Sequence, residues 1–150
     1  MDLSTEESEK LFQRALEALS AGETPSALAL LERALKIADN PSWHSYLGYC
    51  IAKERGQLKS GSDLCLAILQ LEPENPVHYL NLARIHLIAK HKADALRVLR
   101  QGMAAAGNNA EIAALLEGLG NRKPPVLSFL PREHFLNKYL GIALGRLRLR

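Results

Sequence analysis

Five histidines and two cysteines are the side chains in this 150-residue sequence best suited to chemistry near neutral pH. The histidines are His44, His78, His86, His91 and His134. No HExxH occurs, and His86 and His91 are five residues apart, which takes them off a shared helical face, so no metal ligation is expected from them. Cys50 and Cys65 sit in helical patterns without metal-ligand spacing. They read as buried thiols of a reducing compartment, with a disulfide or redox pair as the alternative. No GxxxxGK[ST] is present, no GxGxxG follows a strand, and no strand is predicted. The sequence therefore points to a protein that is not an enzyme and needs no cofactor.

The chain is long enough for one domain with a useful core, and 47% hydrophobic with 23% charged residues is ordinary for a globular protein. Leu and Ala dominate, while aromatics make up 5%, which favours helix. The opening MDLSTEESEK has four acidic residues and no apolar run, so no signal peptide is expected. No stretch approaches a membrane span. Together with the thiols, this gives a cytoplasmic expectation. Charge is divided unevenly. Residues 1–120 carry 12 Lys plus Arg against 15 Asp plus Glu, net −3, whereas residues 121–150 carry seven basic residues and one acidic, net +6. An acidic body with a basic tail argues against a nucleic-acid surface spread over the body.

Positioning falls to a repeated helical pattern. At an offset of 34 residues, Ala27, Gly61 and Ala95 coincide, as do Leu31, Cys65 and Leu99, and then Ala34, Ile68 and Gly102. Steps of four and three within each set mark one helix face. In the preceding helices Ala15, Gly48 and Ala83 correspond at steps of 33 and 35, with an extra residue expected in the turn around Gly56. Ser4-x-x-Glu7 reads as a capping box opening the first helix. Thr24 reads as the cap of the second helix, with Pro25 in its first turn. The junctions Asp39-Asn40-Pro41 and Glu74-Asn75-Pro76 restart helices, with Asn75 as cap and Pro76 at the first position.

The segments Y79-L-N-L-A-R-I-H86, L64-C-L-A-I-L-Q-L-E-P-E-N-P76 and L28-A-L-L-E-R-A-L-K-I resemble the tetratricopeptide repeat. The resemblance covers about residues 8–109 and implies an all-α fold, a right-handed superhelical stack of antiparallel helix hairpins. Its three repeats are about 8–40, 41–75 and 76–109, with an additional helix at about 109–119 completing a body of residues 1–120. The departures are Arg14 before Ala15, Trp43 one position early, and Gly102 and Gly107 in place of Ala and Pro. His86 takes a position usually held by Tyr, which makes it a packed residue with one polar edge.

First helices of such hairpins line a concave groove. The groove positions implied here are Ser42, Ser45, Tyr49 and Lys53 in the second repeat, and Val77, Leu80, Asn81, Arg84 and Ile88 in the third. They suit an extended or helical peptide of another protein, and the chain would act as an adaptor or scaffold. Relatives that clamp a chaperone's terminal carboxylate use Lys, Arg and Asn at places held here by Phe12, Leu16, Tyr46, Val77 and Asn81. The basic clamp is absent, so a chaperone-tail adaptor is not expected.

Residues 121–150 form a basic, proline-containing segment. Pro124 and Pro125 stop the preceding helix, and Pro131 opens a helix over about 132–147 with a stripe of Leu136, Tyr139, Leu140, Ala143, Leu144 and Leu147. Three roles are open to it. It could cap the last hairpin, it could form a surface for a partner or for self-association, or it could contact an anionic membrane surface or nucleic acid through Lys138, Arg146, Arg148 and Arg150. The FLPR…LNK…LG pattern resembles the ending of bacterial proteins of this repeat type.

Overall fold

The computed structural model describes residues 2–120. The tail, with Lys138, Arg146, Arg148 and Arg150 and the capping, self-association and membrane or nucleic-acid readings, lies outside the described residues. The fold class stands as expected. The described residues form seven α-helices without a strand: α1 (Leu3–Ser20), α2 (Thr24–Ile37), α3 (His44–Arg55), α4 (Leu58–Leu71), α5 (Pro76–Ile88), α6 (Lys92–Ala106) and α7 (Ala110–Gly120). A single 3-10 turn, Pro41–Trp43, leads into α3. The pairs α1–α2, α3–α4 and α5–α6 are hairpins, and α2–α3, α3–α5 and α4–α5 join each hairpin to the next. No described helix is long and apolar enough to cross a membrane.

The positions that recur in the sequence are those that pack. Ala15, Gly48, Ala83, Ala27, Gly61, Ala95, Leu31, Cys65, Leu99, Ala34, Ile68 and Gly102 are all buried. Each fully buried Leu contributes about 1.5–3 kcal/mol through removal of its surface from water. Two clusters result. One joins Leu11, Phe12, Ala15, Leu28 and Leu31 to Trp43 and Ile51, and the other joins Tyr79, Leu80, Leu82 and Ile85 to Val98, Leu99 and Ile112. Trp43, displaced by one position, is held by stacking on Phe12 at a centroid distance of 4.4 Å. Ile112 is fully buried, which docks α7 on the third hairpin.

Two of the expected caps differ. The first helix begins before the Ser4 box, and the Ser4 hydroxyl instead donates to Asp2 at 2.6 Å. Thr24 lies inside α2 and is buried, with Glu23 ahead of it and Pro25 in the first turn. Asn75 does cap α5, its Oδ1 accepting the Val77 N–H at 3.2 Å, and Asn40 does the same for Ser42 at 3.1 Å. Asn109 opens α7 by accepting from Glu111 and Ile112, both at 3.0 Å.

The hairpin turns share one backbone device. Gly22, Gly56 and Lys90, spaced 34 residues apart, have φ of +77°, +67° and +61°. Glycine adopts this left-handed conformation freely, whereas Lys90 meets the steric penalty of its Cβ. The second hairpin is also wound more closely. A Cβ on Gly48 would lie 2.5 Å from the Gly61 carbonyl oxygen, and one on Gly61 would lie 2.4 Å from that of Gly48. The other hairpins use alanine pairs at these places, so α3 and α4 approach more closely than sequence spacing alone indicates.

Gly48→Ala should therefore destabilise the chain by about 1–3 kcal/mol, since backbone must move to admit a methyl group. Lys90→Gly should stabilise it by up to about 1 kcal/mol. Urea unfolding midpoints at constant slope would measure both changes, and a neutral Gly48→Ala would show that the close approach is not maintained in solution.

Candidate functional site

One hollow of about 440 Å³ is lined by side chains from separate hairpins: Leu16, Leu19 and Ser20 of α1, Tyr46 and Tyr49 of α3, Val77, Leu80 and Arg84 of α5, and Glu111 of α7. Four elements thus contribute to one surface. Its lining is mixed, with Leu16, Leu19, Val77, Leu80 and two tyrosines beside Ser20, Arg84 and Glu111. Arg84 is 3.8 Å from Glu111, while Lys53 and Arg84 each lie 5.9 Å from the Tyr49 ring centre. A ring flanked by two cations is electrostatically favourable.

Of the positions read as groove-facing, Tyr49, Val77, Leu80 and Arg84 line this hollow. Lys53 reaches its edge through Tyr49, and Ile88 is exposed but does not line it. Ser45 and Asn81 differ most, because both are essentially fully buried. Leu16, Leu19, Ser20, Tyr46 and Glu111 were not among the sequence-expected groove residues. The first hairpin's repeat phase was the signal that could have found those on α1.

The buried polar residues form one hydrogen-bonded chain between hairpins. The Ser45 hydroxyl meets His78 Nδ1 at 2.7 Å and accepts from Asn81 Nδ2 at 3.1 Å. His78 Nε2 meets Glu72 Oε2 at 2.8 Å, and the same oxygen accepts from Asn75 at 3.0 Å. Ser42, the remaining expected groove residue, donates its hydroxyl to Glu72 as well. At the other end Arg84 donates to Asn81 Oδ1 at 3.3 Å. Both ring nitrogens of His78 are thus engaged, Nδ1 with Ser45 and Nε2 with Glu72. Among the described residues no buried side-chain nitrogen or oxygen lacks a hydrogen bond.

Serine, histidine and glutamate in series match the order of a hydrolase triad. Here the order serves packing: Ser45 has no exposed surface, its carbonyl accepts from Cys65 Sγ at 3.6 Å, and no substrate carbonyl can reach its hydroxyl. The thiols are equally enclosed. Burial raises both Cys50 and Cys65 to about 12, which keeps them protonated and unreactive.

A second polar group lies at the turn from α5 to α6. His86, His91 and Asp94 each offer a ligand atom, and these atoms lie within 4.8 Å of one another. His86 is half-buried, and burial lowers its pKa from the ordinary value. Asp94 is lowered by its hydrogen bond from Arg97 at 2.9 Å. The five-residue spacing excluded a common helical face for the two histidines, but the chain reverses between them and brings their side chains together.

No protein-family model matches the chain, and no curated protein matches it. Solved structures do. The first TPR domain of Spaghetti (RPAP3), bound to the HSP90 peptide SRMEEVD, superposes with a TM-score of 0.59 at 11% identity, over 77% of this chain and 94% of that one. The Sgt2 TPR domain from Aspergillus fumigatus gives 0.60 at 21% identity, over 81% and 87%. The fold is a tetratricopeptide-repeat-like solenoid. In repeat terms, the hollow lies on the face formed by the first helix of all three hairpins, with α7 adding Glu111. The His78 chain runs through the contact between the second and third hairpins.

Glu72 is held at about 2 by the hydroxyl of Ser42 first, and by His78 and Asn75. Because its folded value lies below its ordinary 4.5, the stability it contributes is present above that value and is lost as pH falls towards about 2. Thermal melts across that window should show declining stability, and Glu72→Gln should flatten the decline. An unchanged slope in the variant would assign the acid sensitivity to other carboxylates.

Proposed function

We propose that this chain is a non-catalytic scaffold that binds a peptide or helix of another protein along the hollow. The carrying observation is that α1, α3, α5 and α7 together line it with leucines, a valine and two tyrosines beside Arg84 and Glu111, with Lys53 near Tyr49. Such a surface suits a segment with one or two large apolar anchors and an acidic group beside them. The tyrosines supply broad contact at little entropic cost, and Arg84 and Lys53 answer the acidic group. Because stacked hairpins hold these side chains in place, binding orders mainly the ligand. The peptide seen on the RPAP3 domain supports a peptide ligand for the fold, but not the same peptide. Leu16, Tyr46 and Val77 stand at clamp positions and offer no charge to a terminal carboxylate, while Phe12 and Asn81 are buried.

Two measurements test this reading. Immobilised full-length chain should retain a specific protein from native lysate, and Tyr49→Ala with Arg84→Ala should reduce that retention roughly tenfold or more. Melting curves would establish that the double variant is folded, and equal retention by it would remove the hollow as the site. Fluorescence anisotropy with labelled SRMEEVD should show no saturable binding, whereas tight binding would overturn the apolar-anchor reading.

A further inference from the structure

The turn between α5 and α6 carries chemistry that the hollow does not use. His86 lies in the last turn of α5, His91 immediately precedes α6, and Asp94 lies in the first turn of α6. Backbone hydrogen bonds fix their relative places: the His91 N–H donates to the His86 carbonyl at 2.8 Å, Lys90 donates to Leu87 at 3.0 Å, and Ala95 donates to His91 at 3.1 Å. Two imidazoles and a carboxylate are thereby presented from three points of one hydrogen-bonded turn.

We propose that His86, His91 and Asp94 form a binding site for a divalent transition-metal cation of the Zn2+ class. The donor set decides the class. Two nitrogens and one oxygen suit Zn2+, Co2+, Ni2+ or Cu2+, whereas Ca2+ and Mg2+ demand a shell of oxygens. The distances are compatible. Bonds of about 2.0–2.1 Å around a tetrahedral ion place donors about 3.4 Å apart. The three donor atoms already lie within 4.8 Å of one another, and His91 is exposed with rotamer freedom to close the remainder.

Arg97 sets the terms of this site. It donates to Asp94 Oδ1 at 2.9 Å, orienting the carboxylate as an outer-shell partner does and leaving the second oxygen for a cation. Its charge, with those of the exposed Lys90 and Lys92 beside His91, opposes a cation. The site is therefore one of moderate affinity with water completing the coordination. A bound ion would tie α5 to α6 across the turn that Lys90 strains, so it would stabilise the third hairpin in proportion to its occupancy.

Calorimetric titration of the full-length chain with ZnCl2 at neutral pH tests the proposal. One saturable site is expected, with His91→Ala and Asp94→Asn each lowering affinity about tenfold or more and His44→Ala leaving it unchanged. Circular dichroism would verify that the exposed His91 variant is folded. No saturable binding, or equal affinity in His91→Ala, would overturn the assignment. So would a thiolate charge-transfer band on Co2+ addition, since it would place the ion on Cys50 or Cys65.

Discussion

The hydrogen-bonded chain through His78 determines how the third hairpin sits on the second. Ser45 belongs to α3, Glu72 to the junction after α4, and His78, Asn81 and Arg84 to α5. Apolar packing between helices tolerates small rotations and slides, but a chain of directional bonds in a low-dielectric interior does not. Leaving Ser45, His78 or Asn81, the buried members of the chain, unbonded would cost about 1–3 kcal/mol, so the docking angle of α5 on α3 is narrowly defined. The surface on the other side of those helices inherits that definition. Tyr49 is one turn from Ser45, Leu80 adjoins Asn81 and Arg84 bonds to it, so the buried chain sets the spacing of side chains that line the hollow.

The junction EPENP concentrates this control. Glu72 gathers Ser42, Asn75 and His78, the Pro73 carbonyl accepts the Tyr79 hydroxyl at 2.6 Å, and Asn75 caps α5. A segment that could have been a plain linker instead fixes the start, direction and rotation of the next helix. The first junction does less: Asn40 caps a single turn, and Asp39 meets His44 at 2.6 Å in a largely exposed pair, which contributes little in water.

Periodicity made the fold legible, because the same small and apolar residues must face the same neighbour in every hairpin. It was weaker on which polar residues face water. Ser45 and Asn81 looked like groove residues because a serine or asparagine at a helix surface and one in a hydrogen-bonded interior are identical in sequence. A clue was present, since the apolar residues of α5 are not confined to one face, so much of the helix is covered and some of its polar residues must pair inside. Glu72 was hidden for a related reason, since its partners come from residues as far away as Ser42. The proximity of His86 and His91 escaped a helical-face argument because the helix ends between them. Spacing rules hold only within one regular element.

Every substantial helix pairing in the described chain joins neighbours or next neighbours, and none ties α1 or α2 to α5 or α6. Cooperativity in such a stack passes from hairpin to hairpin, so its ends can open while the middle persists. Yet one wall of the hollow, Leu16, Leu19 and Ser20, belongs to the first hairpin, and another, Glu111, belongs to the last described helix. The hollow is thus assembled from parts at opposite ends of the described stack. Amide exchange in those two parts and occupancy of the hollow should be linked, with a ligand slowing exchange in the first hairpin and in α7 at once although it contacts only one face.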